Sequence, residues 1–337
     1  MQRLVLIDAH ALLHRAYHAF PKTLVNSKGE MVNAVYGFAR TLLSLFSELK
    51  PSHVVVAFDQ KGPTFRHHQF KGYKATRPKV DQELIDQIKP AHEVVEVLNI
   101  PIREVAGFEA DDVIGTIVRR FKTSVSHSVG DIDRLDEIII VTGDKDAFQL
   151  VNDRVKVYMP SRGQRIPAKL WDQQAVVAKL GIKPEQVVDF KALAGDASDD
   201  IPGVKGIGQK MAQKLLNRWQ DLETIYSRLN EVQSRLGSRV VNLLKSSEDT
   251  ARLSQKLAQI FAQVPIKVNL RQCQLHDYDK VKAVKKFTEL EFKSLIKKLP
   301  NDSLEEMTQE VFGKTAKAGK KTNPVPCEER GKQMGLF

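Results

Sequence analysis

Three short apolar runs punctuate the first half of the chain: residues 3–7 (RLVLI), 54–58 (VVVAF) and 138–142 (IIIVT). Continuous apolar runs of this length fit strands of a parallel sheet covered on both faces. Between them the period changes. Val35, Phe38, Leu42, Leu45 and Leu49 recur at three- and four-residue steps and mark one buried helix stripe. Leu84, Ile88, Val95 and Leu98 do the same, with Pro90 as a kink or break. Glu109 to Phe121 reads as a helix with acids in its first turn, which the helix dipole favours. Strands alternating with helices predict a three-layer α/β domain over about 1–165. Beyond about 166 strand patterns nearly vanish and helices dominate to 299. Residues 123–136 read as a polar surface loop, and 300–337 as a flexible basic tail.

Each apolar run ends at an acid. Asp8, Asp59 and Asp144 occupy the carboxyl ends of the predicted strands, where ligands collect in such sheets. Six more acids join them: Glu109, Asp111 and Asp112 open the third helix, Asp146 follows Asp144, and Asp196 and Asp199 lie in GDASDD. Singly, each has a structural explanation. Asp8 can cap a helix, Asp59 can sit in a turn, Glu109 to Asp112 can complement a dipole, and Asp144 can form an Asx-turn. Jointly they repel one another too strongly to stand without cations. Oxygen-rich clusters suit hard divalent ions such as magnesium or manganese. The excess of carboxylates predicts two ions and metal-assisted chemistry on phosphate.

The rest of the composition points the same way. The 337-residue chain carries a net charge of +11, which suits a polyanionic partner. Residues 61–80 are basic and aromatic, and predict a mobile arch or loop beside the site. Arg66, Lys71, Lys74 and Arg77 would contact phosphate there, and Tyr73 or Phe70 would stack a splayed base. The turn Gly203-Val204-Lys205-Gly206-Ile207-Gly208 precedes a helix pattern without a strand before it. That excludes a dinucleotide fingerprint and predicts a helix–hairpin–helix, with Gly203, Gly206, Gly208, Lys205 and Lys210 near a DNA backbone. His10, His14 and His18 share one helix face, and a structural or solvent-facing role is expected over zinc. Cys273 and Cys327 are far apart, which fits a reducing compartment. No apolar stretch approaches the roughly 20 residues of a membrane helix, so a cytoplasmic enzyme, nucleoid-associated and monomeric, is expected.

With these residues in place the chain resembles the 5′-nuclease domain of bacterial DNA polymerase I, in the flap endonuclease superfamily. The resemblance runs from Arg3 to about Leu299, through LIDAHALLHRAYHAF, AVYGFA, VVVAFDQKGPTFRH, GYKATRP, GFEADDVIGT, TGDKDAFQL and ALAGDASDDIPGVKGIGQKMA. It implies a PIN-like domain with a helical arch at about 61–90 and a helix–three-turn–helix module. It places Asp8, Asp59, Glu109 and Asp111 on a first metal cluster, and Asp144, Asp146 and Asp199 on a second. Asp112 and Asp196 become supporting acids, Lys74 the lysine that approaches the scissile phosphate, and Arg77 the basic residue after it. It also implies a potassium ion at the hairpin, and nicked or branched DNA with a 5′ flap or RNA primer as substrate.

Two departures stand out. Asp200 replaces the asparagine usual in bacterial relatives, which is expected to add charge beside the second metal. No proofreading or polymerase domain follows, so a free-standing nuclease or a truncated chain is expected. The ending Gln333-Met334-Gly335-Leu336-Phe337 resembles a sliding-clamp peptide. A tether of that kind would raise local concentration at a nick. Two competing readings are a catalytically silent junction binder, which the intact acid set disfavours, and a PIN-type endoribonuclease toxin, which would lack the hairpin module.

Overall fold

The three apolar runs do form neighbouring parallel strands. The structure is a computed structural model and describes residues 1–122, 135–161, 166–275 and 278–300. Six strands, β1 (Arg3–Asp8), β2 (His53–Ala57), β3 (Ile102–Arg103), β4 (Glu137–Val141), β5 (Val155–Met159) and β6 (Lys169–Trp171), pair in the order β3-β2-β1-β4-β5-β6. All pairs are parallel except β5–β6. Strands β3 and β6 are only two and three residues long, and Lys156 interrupts the apolar run of β5, so none of the three shows as a continuous apolar run. Leu4, Leu6, Val55, Ala57, Ile138 and Ile140 join one core with Val113, Ile114 and Ile117. The alternate residues Val5, Ile7, Val54, Val56, Ile139 and Val141 are also buried, on the opposite face, so both faces are covered.

Helices α1 (Ala9–Ala19) and α2 (Asn33–Leu49) pack on each other, and every residue of the predicted α2 stripe is buried. The segment after β2 holds the short helices α3 (Phe65–Gln69) and α4 (Gln82–Ile85), then α5 (Ile88–Val97). Pro90 lies in the first turn of α5, where its missing N–H costs nothing, so the break falls before it. Helix α6 (Ala110–Lys122) follows Glu109.

After β6 the chain is helical: α7 (Gln173–Leu180), α8 (Val187–Ala194), α9 (Gln209–Trp219), α10 (Leu222–Ser227), α11 (Leu229–Leu236), α12 (Ser238–Ser246) and α13 (Glu248–Ala258). Helix α8 sits against both α9 and α13. Helices α14 (Leu270–Cys273), α15 (Lys280–Glu289) and α16 (Lys293–Ile296) return to the first half. There α15 packs on α5, with a Lys286–Glu93 ion pair at 2.6 Å. Residues Met1–Lys298 therefore form one compact unit. No described helix is long and apolar enough to cross a membrane. Most of the predicted polar loop (123–134) and nearly all of the predicted tail lie outside the described residues, as do the clamp-like peptide and Cys327.

Candidate functional site

The carboxyl edge of the sheet gathers the predicted acids by local backbone necessity. Asp8 ends β1 and caps α1, accepting from the Ala11 N–H at 2.9 Å; its other oxygen accepts from Thr142 Oγ1 at 2.8 Å. Asp59, two residues past β2, caps α6 by accepting from the Ala110 N–H at 2.6 Å. Its own N–H donates to His10 Nδ1 at 3.0 Å. Asp144 accepts from the Asp146 N–H at 2.9 Å, an Asx-turn that directs both acids off the end of β4. Asp196 and Asp199 arrive from the loop after α8. Capping and clustering thus coincide at Asp8 and Asp59, because α1 and α6 both start at the sheet edge.

Burial and mutual repulsion shift these groups together. Burial, then the Asp59 charge, pushes Asp8 up to about 7 against the bonds from Ala11 and Thr142. Asp111 is raised well above the usual range by burial, then by Asp8, Asp144, Asp146 and Glu109. Asp146 rises to about 7 through burial and Asp144, although Lys191 opposes the shift.

Four cations offset part of this charge, one of them Arg66, which lies 3.5 Å from Glu109 Oε2. Lys74 Nζ donates to Glu109 Oε1 at 2.8 Å and lies 3.9 Å from Asp199 Oδ2, so it bridges the two predicted clusters. Arg77 bonds the Asp199 carboxylate and the Ser198 carbonyl. Lys191, buried on α8, donates to Asp146 and Asp196. Burial would lower the Lys191 ammonium, yet the two carboxylates raise it; in turn Lys191 holds Asp196 below the usual range despite burial. Lys191 was not anticipated. Its signal is a lysine inside the apolar stretch VVDFKALA, five positions before Asp196.

As the side chains stand, no three of the described His, Cys, Asp or Glu residues are arranged to hold a metal ion. Lys74, Arg77 and Lys191 take up carboxylate oxygens that an ion would otherwise use. The donor set still fits hard dications: every donor is oxygen, and Asp8, Asp111 and Asp144 have no ion-pair partner within 4.0 Å among the described residues.

Four expectations need correction. Asp112 is fully buried and spent on Arg66, with its oxygens 2.8 and 2.7 Å from the guanidinium, and on the N–H groups of Glu109 and Phe261. It is a strut, not a ligand. Arg66 is only 3 % exposed and also donates to the Leu257 and Gln259 carbonyls, so it does not meet DNA at the surface. Tyr73 is buried among Ile201, Leu257 and Ala258, with its hydroxyl donating to Glu109 at 3.2 Å, so no base reaches its ring. Gly203 is buried and donates its N–H to Ser254 Oγ at 3.0 Å; a side chain there would lie 2.2 Å from the Gly195 nitrogen. Close crossing of two backbones, not approach to phosphate, demands that glycine.

The remaining DNA-contact candidates are exposed. Lys71, Lys205, Gly206, Gly208 and Lys210 all face solvent, and Gly208 caps α9 beside a shallow pocket lined by Lys210 and Lys214. The segment after α3 is docked rather than free-standing. The Lys74 N–H donates to the Asp199 carbonyl at 3.0 Å, and Asp200 accepts from the Thr76 N–H at 2.9 Å and its hydroxyl at 2.7 Å. Asp200 adopts a left-handed φ of 55°, which asparagine and aspartate tolerate best. Its charge is therefore committed to Thr76 rather than loose beside the acids.

Comparison with known proteins agrees with this architecture. Residues 3–181 match the 5'-3' exonuclease N-terminal resolvase-like domain, and residues 182–281 the 5'-3' exonuclease C-terminal SAM fold. DNA polymerase I of Caldicellulosiruptor bescii is 39 % identical over 92 % of this chain and 34 % of its own length. DNA polymerase I of Bacillus subtilis is 35 % identical over 90 % of this chain and 33 % of its own. The chain thus spans about a third of the length of these relatives. Among solved structures, the T5 D15 protein co-crystallized with metal ions gives a TM-score of 0.60 at 19 % identity, covering 77 % of this chain and 90 % of that one. The catalytic core of Rad2 in complex with DNA substrate gives 0.58 at 16 % identity, covering 88 % and 93 %. These two likenesses speak for the fold, and the family matches cover nearly all of the compact unit: the chain belongs to the 5'-3' exonuclease family.

Proposed function

We propose that this chain is a divalent-metal-dependent, structure-specific 5′ nuclease acting on nicked or branched DNA with a 5′ flap or an RNA primer. The observation that carries the reading is the carboxylate cluster at the sheet edge, only partly offset by Lys74, Arg77 and Lys191 and set in a body of net charge +11. Asp8, Asp59, Glu109 and Asp111 would hold one magnesium or manganese ion, and Asp144, Asp146 and Asp199 a second, with Asp196 in support. Bound there, the ions would supply Lewis-acid stabilisation and a nucleophile at neutral pH. The chain's own groups do the rest. Lys74 is positioned between the two carboxylate sets, where its ammonium meets charge developing on a scissile phosphate. Arg77 reaches the same edge from the next turn and fixes Asp199. Lys191 orients Asp146 and Asp196; it keeps Asp196 ionised and opposes the upward shift of Asp146.

Exposed Lys71, Lys205 and Lys210, with the N–H groups at Gly206 and Gly208, would grip the duplex backbone. A potassium ion at the hairpin, clamp binding through Gln333, Met334, Leu336 and Phe337, a monomeric state and action in the cytoplasm at the nucleoid belong to the same proposal. The test is Asp144→Ala on a labelled 5′ flap. Cleavage with magnesium should fall at least about a thousandfold, the scale of losing several kcal/mol of transition-state stabilisation, while flap binding persists. Retained magnesium-dependent cleavage would overturn the metal assignment.

A further inference from the structure

A second feature lies beside the acids. Phe65 of α3, Phe108 and Phe261 form a triangle of rings, with centroids 5.8, 5.7 and 5.6 Å apart, and Phe108 and Phe261 stacked at 19°. None of the three is buried, and Phe261 is 37 % exposed. The cluster borders a groove of about 290 Å³ rimmed by exposed Arg119 and Lys256. A second groove of about 310 Å³ adjoins it and shares Arg119 and Gln263. Among the described residues, no aspartate or glutamate lines either one.

The platform is rigidly tied to the candidate active site. The Phe261 N–H donates to Asp112 at 2.8 Å, and Arg66 donates to Asp112 and to the Gln259 carbonyl. The Arg66 guanidinium also sits 4.6 Å from the Phe65 ring centre. One buried ion pair therefore locks together the segment after β2, the start of α6 and the irregular stretch after α13. Phe108 immediately precedes Glu109, so the rings begin one residue from a candidate metal ligand.

Aromatic faces, side-chain amides and a lining that, among the described residues, holds Arg119 and Lys256 and no acid match one ligand chemistry: unpaired nucleic acid, whose bases stack and whose phosphates need positive charge. We propose that the Phe65–Phe108–Phe261 groove is a single-strand platform that receives the unpaired 5′ strand as it leaves the site. This rests on the nuclease reading for its substrate, but it concerns a surface separate from the acids and is testable without cleavage.

The experiment uses the full chain with Phe261→Ala and, independently, Lys256→Glu, the latter on an exposed helical position that leaves the core alone. Fluorescence anisotropy with oligothymidylate in EDTA should show binding weakened about tenfold by Phe261→Ala, the scale of one lost base–aromatic stack. Lys256→Glu should weaken binding and flatten its salt dependence. On a nicked duplex with no flap, both variants should bind and cut as the wild type does. Iodouracil placed in a long flap should crosslink to the segment holding Phe261. Unchanged oligothymidylate binding by both variants, or equal losses on the flapless nick, would overturn the platform; so would crosslinks that avoid this segment. A chain that binds oligothymidylate through Phe261 but cuts nothing would sink the nuclease reading alone. Flap cleavage with both variants unaltered in binding would sink the platform alone.

Discussion

The paired strands β1 and β4 have acids at both ends of the pair, Glu137 opening β4 and Asp8 closing β1, and the two ends are treated in opposite ways. At the amino end Glu137 is buried but receives Arg3 Nε and Lys156 Nζ, each at 2.7 Å. Burial opposes ionisation there, yet the Lys156 and Arg3 bonds hold Glu137 below its ordinary value. At the carboxyl end, one strand-length away, Asp8 and Asp111 have no cation of their own among the described residues, and burial with mutual repulsion pushes both upward. Same strands, same apolar middle, opposite sign. The amino end is built for stability. The carboxyl end gives up stability to keep carboxylates desolvated and close together, as the proposed dication site requires.

The sharpest way to break this contrast is Asp111→Asn. No hydrogen bond to the Asp111 side chain is present among the described residues, so the amide removes a charge and little else. Cleavage should drop at least about a thousandfold. In EDTA at pH 7 the melting temperature should instead rise by about 2 °C, since relief of repulsion near 1 kcal/mol shifts a domain of this size by that much. An acid with a raised pKa costs stability wherever it is forced to ionise. The gain should therefore shrink as pH falls toward its ordinary value of 3.8 and the wild-type group takes up its proton. A variant less stable than wild type at pH 7 in EDTA would show that the carboxyl end is not under strain.

Lys74→Ala sharpens the comparison from the cation side. Lys74 is held at a left-handed φ of 54° by its N–H bond to Asp199, which fixes the ammonium between Glu109 and Asp199. Loss of a preorganised donor of this kind lowers turnover by about a hundredfold. Flap affinity should change far less, because Lys74 faces the acids rather than a duplex surface. Equal single-turnover rates for the variant and the wild type would remove Lys74 from the chemistry.

The two ends also differ in how much of them could be read in the sequence. The carboxyl end was legible because chain direction alone does the placing. A parallel strand must finish at that edge, so Asp8, Asp59 and Asp144 follow from three apolar runs. What escaped were residues whose place depends on tertiary burial. Asp112, Arg66 and Tyr73 look like site residues by spacing, but each turns inward, because α6 and the segment after β2 must share a core with residues 257–261. The same cause hid Lys191, which the sequence shows as one lysine in a helix. The amino end was not legible at all: Lys156 reaches Glu137 from the neighbouring strand β5, which the apolar pattern never showed, and pairs with it across the sheet.

Glu137→Gln is the mildest perturbation and tests the other half of the contrast. The glutamine keeps the shape but loses the charge that both Arg3 and Lys156 address. A network of this size, with Glu137 buried and its two cations partly exposed, is worth on the order of 1 kcal/mol, above a surface pair and below a sealed one. A group with a depressed folded pKa contributes stability that is fully present above its ordinary value, here 4.5, and is lost as pH falls through the folded value. The variant should therefore melt about 2 °C below the wild type at pH 7, and the two curves should converge in acid. Asp111→Asn changes stability with the opposite sign over an overlapping acid range. Cleavage should be untouched by Glu137→Gln, because no atom of Glu137 approaches the carboxyl edge. A loss of activity without a loss of stability would mean that the amino end also serves the chemistry, and the division between the two ends of the sheet would fail.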